Sequence, residues 1–587
     1  MKNSRELVRM GYPPARLPQS CKMGWVFLLV GILGLSALHP AEAQVRPDRS
    51  PPLFFDYPLT SHRFYDYLDR CQTRGDIPLQ SRIRPYFQFH FDSLAGDHLS
   101  DREGRRFCSE GHARHFLAEG RIEKPFESGW SHFTDGTGLS KRRALRWLYA
   151  TNHHFAAIRL EDKFVLTYQP VYGIEGIWTE TSARGIRRST AGFRLEGGIS
   201  KKIHFMVDFR DHGESGRGLY VARDQLYEDR WAYVDLKDRT KSISYDISES
   251  FVQWYGRNAS LSLGRGRHAW GPGQFGQLFL SSQGPPLDYA RLDAVFRGKR
   301  DLALHYTFLH GILKATNAPV DTLYALPDGR LRIIDARKFL TAQRFELRPR
   351  SNLLLGFSQG VIYGDRGVEL AYFTPVSFLY SVQHAQDDKD NLLLAFDASW
   401  RPVRGLLTYG EFLLDDIVVD KLFTDDARNK SAFMLGLHMA PTLWRFLDAR
   451  AEWTRIRPFV YSHVFSVNTY THWTSPLGYT LEPNSELLTG EVRATFYPVQ
   501  FAVTYQRHNH GANPDGENVG GDIYAPFSSS SGSFPLLGGQ LEQTDGYGVR
   551  AVLELVENFL MEGRMAKICQ TGSKARVETA LSLSWNF

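Results

Sequence analysis

The C-terminal segment alternates apolar and polar side chains, and this pattern constrains the fold more than any other feature of the sequence. From Val577 to Phe587 the odd positions hold Val, Thr, Leu, Trp and Phe, and the even positions hold Glu, Ala, Ser and Asn. Successive side chains of a β-strand point to opposite faces, so the segment predicts a strand with one apolar face. The runs on both sides of Pro498 repeat the pattern and change phase there, as in a hairpin.

Alternating segments recur through most of the chain and determine the predicted architecture. They lie near 190–210, 243–264, 290–310, 340–363, 391–416 and 430–457. A sheet in hydrocarbon has to close, because an open edge leaves backbone groups unpaired. We therefore predict an all-β transmembrane barrel of about 16 to 18 antiparallel strands over residues 141–587. A large secreted sandwich or propeller would explain the alternation but not the aromatic final residue.

The end of the last strand also predicts how the barrel reaches the membrane. Trp585 and Phe587 lie on its apolar face, and this ending resembles the signal read by the barrel assembly machinery of the outer membrane. Aromatic residues make up 13% of a chain whose mean hydropathy is only -0.33, as expected of strands with one polar face and aromatic girdles. We expect a monomer in the cell outer membrane, in contact with its lipid.

Charge and apolar runs exclude other classes. The net charge of +6 arises from 70 basic and 64 acidic residues without a concentrated block, so it does not indicate nucleic acid. After residue 44 no uninterrupted apolar stretch approaches the roughly 18 residues that a membrane helix needs. Before it, Lys22, the apolar run 24–38 and the small residues Ala41 and Ala43 predict a signal peptide over 1–43. A membrane anchor is the alternative, but the run is short for one.

Residues 44–140 have a helical rather than an alternating pattern. Apolar residues at three- and four-residue spacing from Phe64 to Cys71, followed by Gly75, predict a helix. Ser100 and Glu103 fit a capping box for a second helix. We predict a small periplasmic helical region that could cover the barrel mouth; a flexible arm is the alternative.

The cysteines leave one question open and predict no metal site. Cys71 and Cys108 could pair in an oxidising compartment, but the sequence does not show whether they approach each other. Cys108, His112 and His115 have near-metal spacing without a fourth ligand nearby. We therefore expect neither a bound metal nor another cofactor.

A glycine-rich motif supplies the first candidate ligand residues. It runs from Arg265 through Arg267 and Trp270 to Gly273. A Trp ring can stack on the apolar side of a sugar, and guanidinium groups bind carboxylates of acidic sugars. The alternative is a turn between strands whose arginines face the lumen.

A short acidic run supplies the second candidate group. Asp387, Asp388 and Asp390 surround Lys389 in a segment between alternating regions. Their carboxylates could accept hydrogen bonds from saccharide hydroxyls. The alternative is a loop in which these charges are only solvated.

Blocks spread over nearly the whole mature chain resemble a known family, the Wzi-like capsule assembly proteins. The resemblance is carried by residues 65–70, 270–273, 280–282, 344–349, 356–358, 362–364, 383–384, 390–391, 396–397, 400–402, 409–411, 414–416, 470–472, 476–478 and 483–485. It implies an outer-membrane barrel with a periplasmic helical bundle, a lectin that helps retain or assemble capsular or exported polysaccharide. It implies no catalysis and assigns no ligand to an individual position.

Two other functions remain as alternatives to saccharide binding. A barrel of this strand number can enclose water, which would suit a channel for small solutes. Tyr470, Thr471 and His472 with Ser475 faintly resemble the catalytic region of outer-membrane phospholipases, in which a His activates a Ser.

Overall fold

Long antiparallel strands make up most of the part of the chain that the structure describes. The computed structural model describes residues 62–84, 156–160, 164–179, 185–199, 202–216, 233–238, 242–298, 301–315, 323–325, 331–333, 337–415, 424–441, 443–444, 446–473, 475–496, 499–525, 532–556 and 559–586. Neither α-helix within these residues is long and apolar enough to cross a membrane.

The elements follow one another in the order expected of a meander. The first half of the chain contains α1 (His62–Arg74), β1 (Ile83–Arg84), β2 (Ala156–Leu160), β3 (Phe164–Thr179), β4 (Ile186–Ile199), β5 (Ile203–Gly216), β6 (Tyr233–Asp238), β7 (Ser242–Tyr255), β8 (Ala259–Gly266), β9 (Ala269–Trp270) and β10 (Leu287–Arg297). The second half contains β11 (Ala303–Lys314), β12 (Leu323–Ala325), β13 (Leu331–Ile333), β14 (Arg337–Arg350), β15 (Leu353–Gly364), α2 (Leu379–Ala385), β16 (Asn391–Val403), β17 (Leu406–Asp415), β18 (Ser431–Met439), β19 (Leu447–Ile456), a 3-10 turn (Ser466–Asn468), β20 (Thr471–His472), β21 (Ser475–Pro476), β22 (Ser485–Phe496), β23 (Val499–Ala512), β24 (Gln540–Val556), β25 (Phe559–Gln570) and β26 (Arg576–Asn586).

Within the described residues, 18 antiparallel strands close into one barrel. They are β3–β5, β7, β8, β10, β11, β14–β19 and β22–β26. The ring closes where β26 pairs with β3, from Asn586 opposite Val171 to Glu578 opposite Thr179. β2 and β6 add short pairings to β3 and β7. The predicted all-β barrel is confirmed, with a strand number at the upper end of the expected range.

The two ends of the barrel differ in the length of their connections. At one end β14 joins β15 through 351–352 and β16 joins β17 through 404–405. At the other end the connections are long, as in 267–286, 365–390 and 457–484. Outer-membrane barrels have short turns on the periplasmic side and long loops outside the cell, which orients this barrel.

The outer surface of the barrel is apolar and ends in an aromatic girdle. Alternate residues such as Leu261 and Leu263 of β8 or Phe501 and Val503 of β23 are exposed on it. Near the short-turn end the exposed aromatic residues are Trp254, Phe296, Trp400, Trp444, Phe446 and Phe496. Apolar belts bounded by such girdles are the lipid-facing surface of outer-membrane barrels.

Helix α1 lies at the short-turn end, where it contacts inward-facing side chains of the barrel. The predicted helix from Phe64 to Cys71 is confirmed, and Gly75 follows α1 with a φ of 79°. Asp66 forms ion pairs with Arg450 and Arg493 of the barrel wall. The signal peptide, the capping box at Ser100 and the Cys108 group lie outside the described residues. The limits of the helical region therefore stay predictions.

We expect Asp66→Asn to weaken the contact between α1 and the barrel by about 2 kcal/mol, because two arginines lose a charged acceptor. Burial opposes ionisation of Asp66, but Arg493 and Arg450 outweigh it and hold the pKa of this carboxyl well below its ordinary value. The stabilisation by Asp66 is therefore fully present at pH values above the ordinary pKa of Asp, and it is lost as the pH falls through the lowered pKa of this carboxyl. Hydrogen exchange of α1 should be faster in the variant at pH 7. A difference that stayed equally large in strong acid would contradict this account.

Candidate functional site

The glycine-rich segment 267–286 folds into the lumen. It carries β9, which pairs with β1 so that Trp270 lies opposite Ile83. The ring of Trp270 is fully buried and stacks on Phe279, with the centroids 6.0 Å apart. The motif is thus part of a packed plug inside the barrel.

Two carboxylates of the barrel wall hold the backbone of this plug. Glu411 of β17 accepts hydrogen bonds from the N–H groups of Leu278 and Phe279, at 3.1 and 3.0 Å. Glu452 of β19 accepts one from the N–H of Gln274 at 2.8 Å. A buried irregular backbone needs such acceptors, because each unpaired N–H costs about 1–3 kcal/mol.

One glycine of the motif is required by this contact. Gly271 has a φ of 132°, in the region that favours glycine. A Cβ there would lie 2.8 Å from the nearer carboxylate oxygen of Glu411. The motif therefore allows the backbone to approach the carboxylate that anchors it.

The segment 457–484 also enters the lumen and packs on the first plug. The hydroxyls of Tyr461 and Tyr470 donate hydrogen bonds to the carbonyl oxygens of Leu278 and Phe279, both at 2.6 Å. Their rings stack with centroids 5.6 Å apart. The two segments fill the lumen beside the β10–β22 wall with a buried apolar cluster, which includes Leu280, Leu309, Leu340, Ile362, Leu393, Met434, Ile456, Tyr479 and Leu487.

Charged side chains of the inner wall are paired with one another. Arg344 is fully buried and donates hydrogen bonds to Glu346 at 2.9 Å and to Asp397 at 2.7 and 3.0 Å. On the opposite wall, Glu175 accepts from Arg188 and Arg564 at 2.7 and 2.6 Å. These pairs neutralise charges that would otherwise be costly to bury.

The three residues predicted from the glycine-rich motif lie in different environments. The side chain of Arg265 points outward from β8, on the same face as Leu261 and Leu263. It forms an ion pair with Asp288 at 3.0 Å on the barrel exterior. Arg267 lies in the lumen, 3.4 Å from Glu249. Trp270 has no exposed surface, so a saccharide could reach its ring only if the plug moved. The lumen-facing alternative describes Arg267 but not Arg265, and the ligand roles stay predictions.

The three predicted aspartates divide into an exposed pair and a buried anchor. The side chains of Asp387 and Asp388 are 80% and 65% exposed at the end of α2. Asp390 is buried and accepts hydrogen bonds from Arg366 at 2.6 and 2.9 Å and from the Tyr372 hydroxyl at 2.7 Å. Asp390 holds the segment together, whereas the exposed pair makes solvent-exposed contacts, Asp387 with Lys389 at 3.0 Å and Asp388 with His384 at 4.0 Å.

The exposed pair lies beside the second inserted segment. The side-chain amide of Asn468 donates to the carbonyl oxygen of Lys389 at 2.8 Å, and that of Asn391 donates to the carbonyl oxygen of Asn468 at 3.0 Å. These bonds hold the two loops in one fixed surface at the long-loop end. We call Asp387, Asp388 and Lys389 the acidic corner.

The sequence pattern does not indicate a second polar surface that lies at this end. In loop 513–525 the Asn513 side chain accepts hydrogen bonds from the N–H groups of Val519 and Gly521 at 3.0 and 2.9 Å, which shapes the loop. Asp515 and Glu517 are exposed on it. Asn, Asp and Gly are common in any loop, so their presence alone could not have indicated a site.

The phospholipase alternative gains no support from the arrangement around His472. Its Nδ1 atom accepts a hydrogen bond from the N–H of Lys314 at 3.1 Å. His472 and Ser475 are both buried and pair across β20 and β21. Burial lowers the pKa of the His472 imidazole below its ordinary value, which weakens it as a base. Neither side chain faces the lipid, where a phospholipid ester would lie.

The last strand has the aromatic contact expected at a girdle. Trp585 lies opposite Phe559 of β25, and the two rings meet edge to face with centroids 5.9 Å apart. Phe587 lies outside the described residues. Recognition of this ending by the assembly machinery stays a prediction.

Comparison with solved structures agrees with the barrel fold. Wzi of Escherichia coli, described as an outer membrane protein involved in group 1 capsule assembly and as a carbohydrate-binding β-barrel, superposes with a TM-score of 0.53. The identity is 14%, with 90% of this chain and 98% of that chain covered. OccAB2 of Acinetobacter baumannii gives a TM-score of 0.39 at 7% identity over 72% of this chain and 98% of that chain. OprD of Pseudomonas aeruginosa gives 0.39 at 12% identity over 73% and 97%.

The family itself is established by sequence. No curated protein matches the chain. The family model described as capsule assembly protein Wzi matches residues 198–564, which is more than half of the chain. The closed barrel and its apolar exterior make the protein an outer-membrane protein. The chain belongs to the Wzi family of capsule assembly proteins.

Proposed function

We propose that this protein binds a capsular or exported polysaccharide at the long-loop end of the barrel and helps to retain or assemble it at the cell surface. Family membership and the carbohydrate binding described for Escherichia coli Wzi support this function. The observation that carries it here is a surface of exposed polar side chains held rigidly above a packed half of the lumen.

The acidic corner supplies suitable chemistry for hydroxyl-rich polymers. Carboxylates accept hydrogen bonds from sugar hydroxyls, and a charged acceptor strengthens each bond. Asp387 and Asp388 are on a segment fixed by Asp390, so little conformational entropy is lost when they bind. Loop 513–525 would add acceptors on the same end of the barrel.

The proposal includes how the protein reaches the outer membrane and its oligomeric state. A signal peptide exports the chain, and the barrel assembly machinery inserts it through the last strand, which ends in Trp585 and Phe587. A barrel closed within one chain needs no second subunit, which supports a monomer. A solute channel is the weaker alternative, because the inserted segments fill the lumen beside the β10–β22 wall. Catalysis is not part of the proposal.

The experiment compares polymer retention and direct binding. Deleting the gene should leave polymer synthesis intact but release polymer into the medium. In binding assays with the purified polymer, Asp387→Asn with Asp388→Asn should weaken affinity about tenfold, equivalent to about 1.4 kcal/mol. Asp301→Asn is the matched control, because Asp301 is an exposed carboxylate at the short-turn end. Unchanged surface retention in the deletion strain would contradict the function. Equal effects of the two substitutions would contradict the site.

A further inference from the structure

The outer wall formed by β14 and β15 carries polar side chains in an unusual place. The Ser358 hydroxyl of β15 accepts a hydrogen bond from Arg344 in the lumen at 2.8 Å, so the neighbouring odd positions of this strand point outward. Gln359 is one of them, and Gln343 lies opposite it in the register of β14. Both therefore lie on the side of the barrel that elsewhere faces lipid.

These glutamines lie at the depth of the hydrocarbon. Trp400 of the aromatic girdle is in register with Leu353 at the start of β15. Gln359 lies further along the strand, roughly 15 Å above that level for strands of ordinary rise and tilt. The apolar band of such barrels is about 25 Å tall. An amide side chain at this depth is costly unless it is hydrogen-bonded.

Segment 365–390, which we call the external flap, supplies these hydrogen bonds. It folds back over the outside of the barrel instead of extending from its end. Gln359 donates to the carbonyl oxygen of Ser377 at 2.8 Å and accepts from the N–H of Leu379 at 3.0 Å. Gln343 donates to the Ser377 hydroxyl at 3.1 Å. The irregular backbone of the flap and the outward amides thus satisfy one another, as structure surrounded by lipid requires.

The inner side of the external flap is packed against the wall. Tyr372 and Leu379 are fully buried in a cluster with Phe339, Val361 and Tyr363. Phe373 contacts the ring of Phe308 with centroids 5.9 Å apart and that of His310 at 4.9 Å. The Arg366–Asp390 ion pair joins the two ends of the flap. This packing fixes the depth at which the flap lies.

The outer side of the external flap is apolar and uncharged. Leu370, Val376 and Phe378 are 78%, 70% and 55% exposed. From 370 to 383 the sequence has no charged residue, although 23% of the whole chain is charged. This surface continues the lipid-facing belt, which includes the exposed Phe396 of the neighbouring β16.

We propose that the external flap is embedded in the outer leaflet of the membrane, with Leu370, Val376 and Phe378 in contact with lipid acyl chains. The glutamine pair docks the flap on the barrel wall. The end of the flap returns to water at the acidic corner, which it holds at the membrane surface. A connection that resembles an extracellular loop is therefore a lipid-binding element.

Site-directed spin labelling of the full chain in proteoliposomes tests the proposal. Leu370→Cys and Val376→Cys place a nitroxide on the outer side of the flap, and Asp387→Cys is the control on the same segment. The unsubstituted protein, treated with the same label, shows how much signal comes from the native cysteines. Oxygen partitions into lipid and a nickel chelate into water. The oxygen-to-nickel collision ratio should be higher at 370 and 376 than at 387.

Three outcomes would overturn the proposal. Free access of the nickel chelate at 370 and 376 would mean that the flap lies in water. Exclusion of both reagents there would mean that a second copy or another protein covers it. Gln343→Leu with Gln359→Leu should increase the mobility of the nitroxide at 376 while heat-resistant gel mobility of the barrel is kept. Unchanged mobility in this variant would exclude the docking role of the glutamines.

Discussion

Replacing Arg344 by Met should lower the free energy of unfolding of the barrel by about 3–5 kcal/mol. Arg344 is fully buried, and its loss leaves the carboxylates of Glu346 and Asp397 facing each other without their shared cation. Uncompensated buried charge is among the most destabilising changes in a protein. The measurement is the temperature at which the barrel loses its compact gel mobility in detergent.

A surface ion pair provides the matched control for this experiment. Arg507 binds Asp545 at 2.8 Å on the barrel exterior, with its side chain 48% exposed. Arg507→Met should lower the unfolding temperature far less than Arg344→Met, because solvent screens the pair. Adding Asp397→Leu to Arg344→Met should recover part of the stability. Equal shifts for the two arginine variants would show that burial does not set the strength of the Arg344 network.

Replacing Glu411 by Ala should release the plug formed by segment 267–286. The N–H groups of Leu278 and Phe279 would lose the carboxylate that accepts their hydrogen bonds, at a cost of about 1–3 kcal/mol each. Part of that cost is avoided if the segment leaves the lumen and its backbone binds water. We therefore expect higher conductance in planar bilayers and faster sugar uptake by proteoliposomes than with the unsubstituted protein.

Glu411→Gln is the control, because its side-chain oxygen keeps one acceptor at the same place. Its conductance should lie between those of the unsubstituted protein and of Glu411→Ala. A Glu411→Ala protein with unchanged conductance and a normal unfolding temperature would show that Tyr461 and Tyr470 hold the plug without the carboxylate.

The long connections between strands lie in different parts of the structure. Segments 267–286 and 457–484 fill part of the interior, whereas 365–390 covers part of the exterior. Loop 513–525 and the acidic corner are left at the water-facing end. This division suits a protein that presents a binding surface to a large polymer more than one that conducts small solutes.

The strands and helix α1 could be predicted from the sequence because their signals are local. A period of two, repeated from Leu261 and Leu263 to the last strand, reports which side chains face lipid. The apolar spacing between Phe64 and Cys71 reports a helix in the same way. The strand number could be bounded, but not fixed, since β2 and β6 add short pairings that alternate like the rest.

The locations of the candidate ligand residues could not be predicted from the sequence. Asp390 resembles Asp387 and Asp388 in the chain, yet Arg366 and Tyr372 bury it. Trp270 looked like an exposed platform, but the ring is enclosed by the plug. Charge and aromaticity determine which groups a side chain can bind. The neighbours of that side chain in the folded protein decide whether it binds a ligand or another residue of the protein.

The amino-acid sequence by itself determined an alternating sheet that has to close, because backbone groups cannot remain unpaired in lipid. The tertiary structure decided which connections enter the lumen and which one lies against the outer wall. Leu278 meets Glu411 across 133 positions of the chain, and Gln359 meets the flap only once β14 and β15 stand side by side. Such contacts depend on the register of the whole barrel, which no local pattern contains.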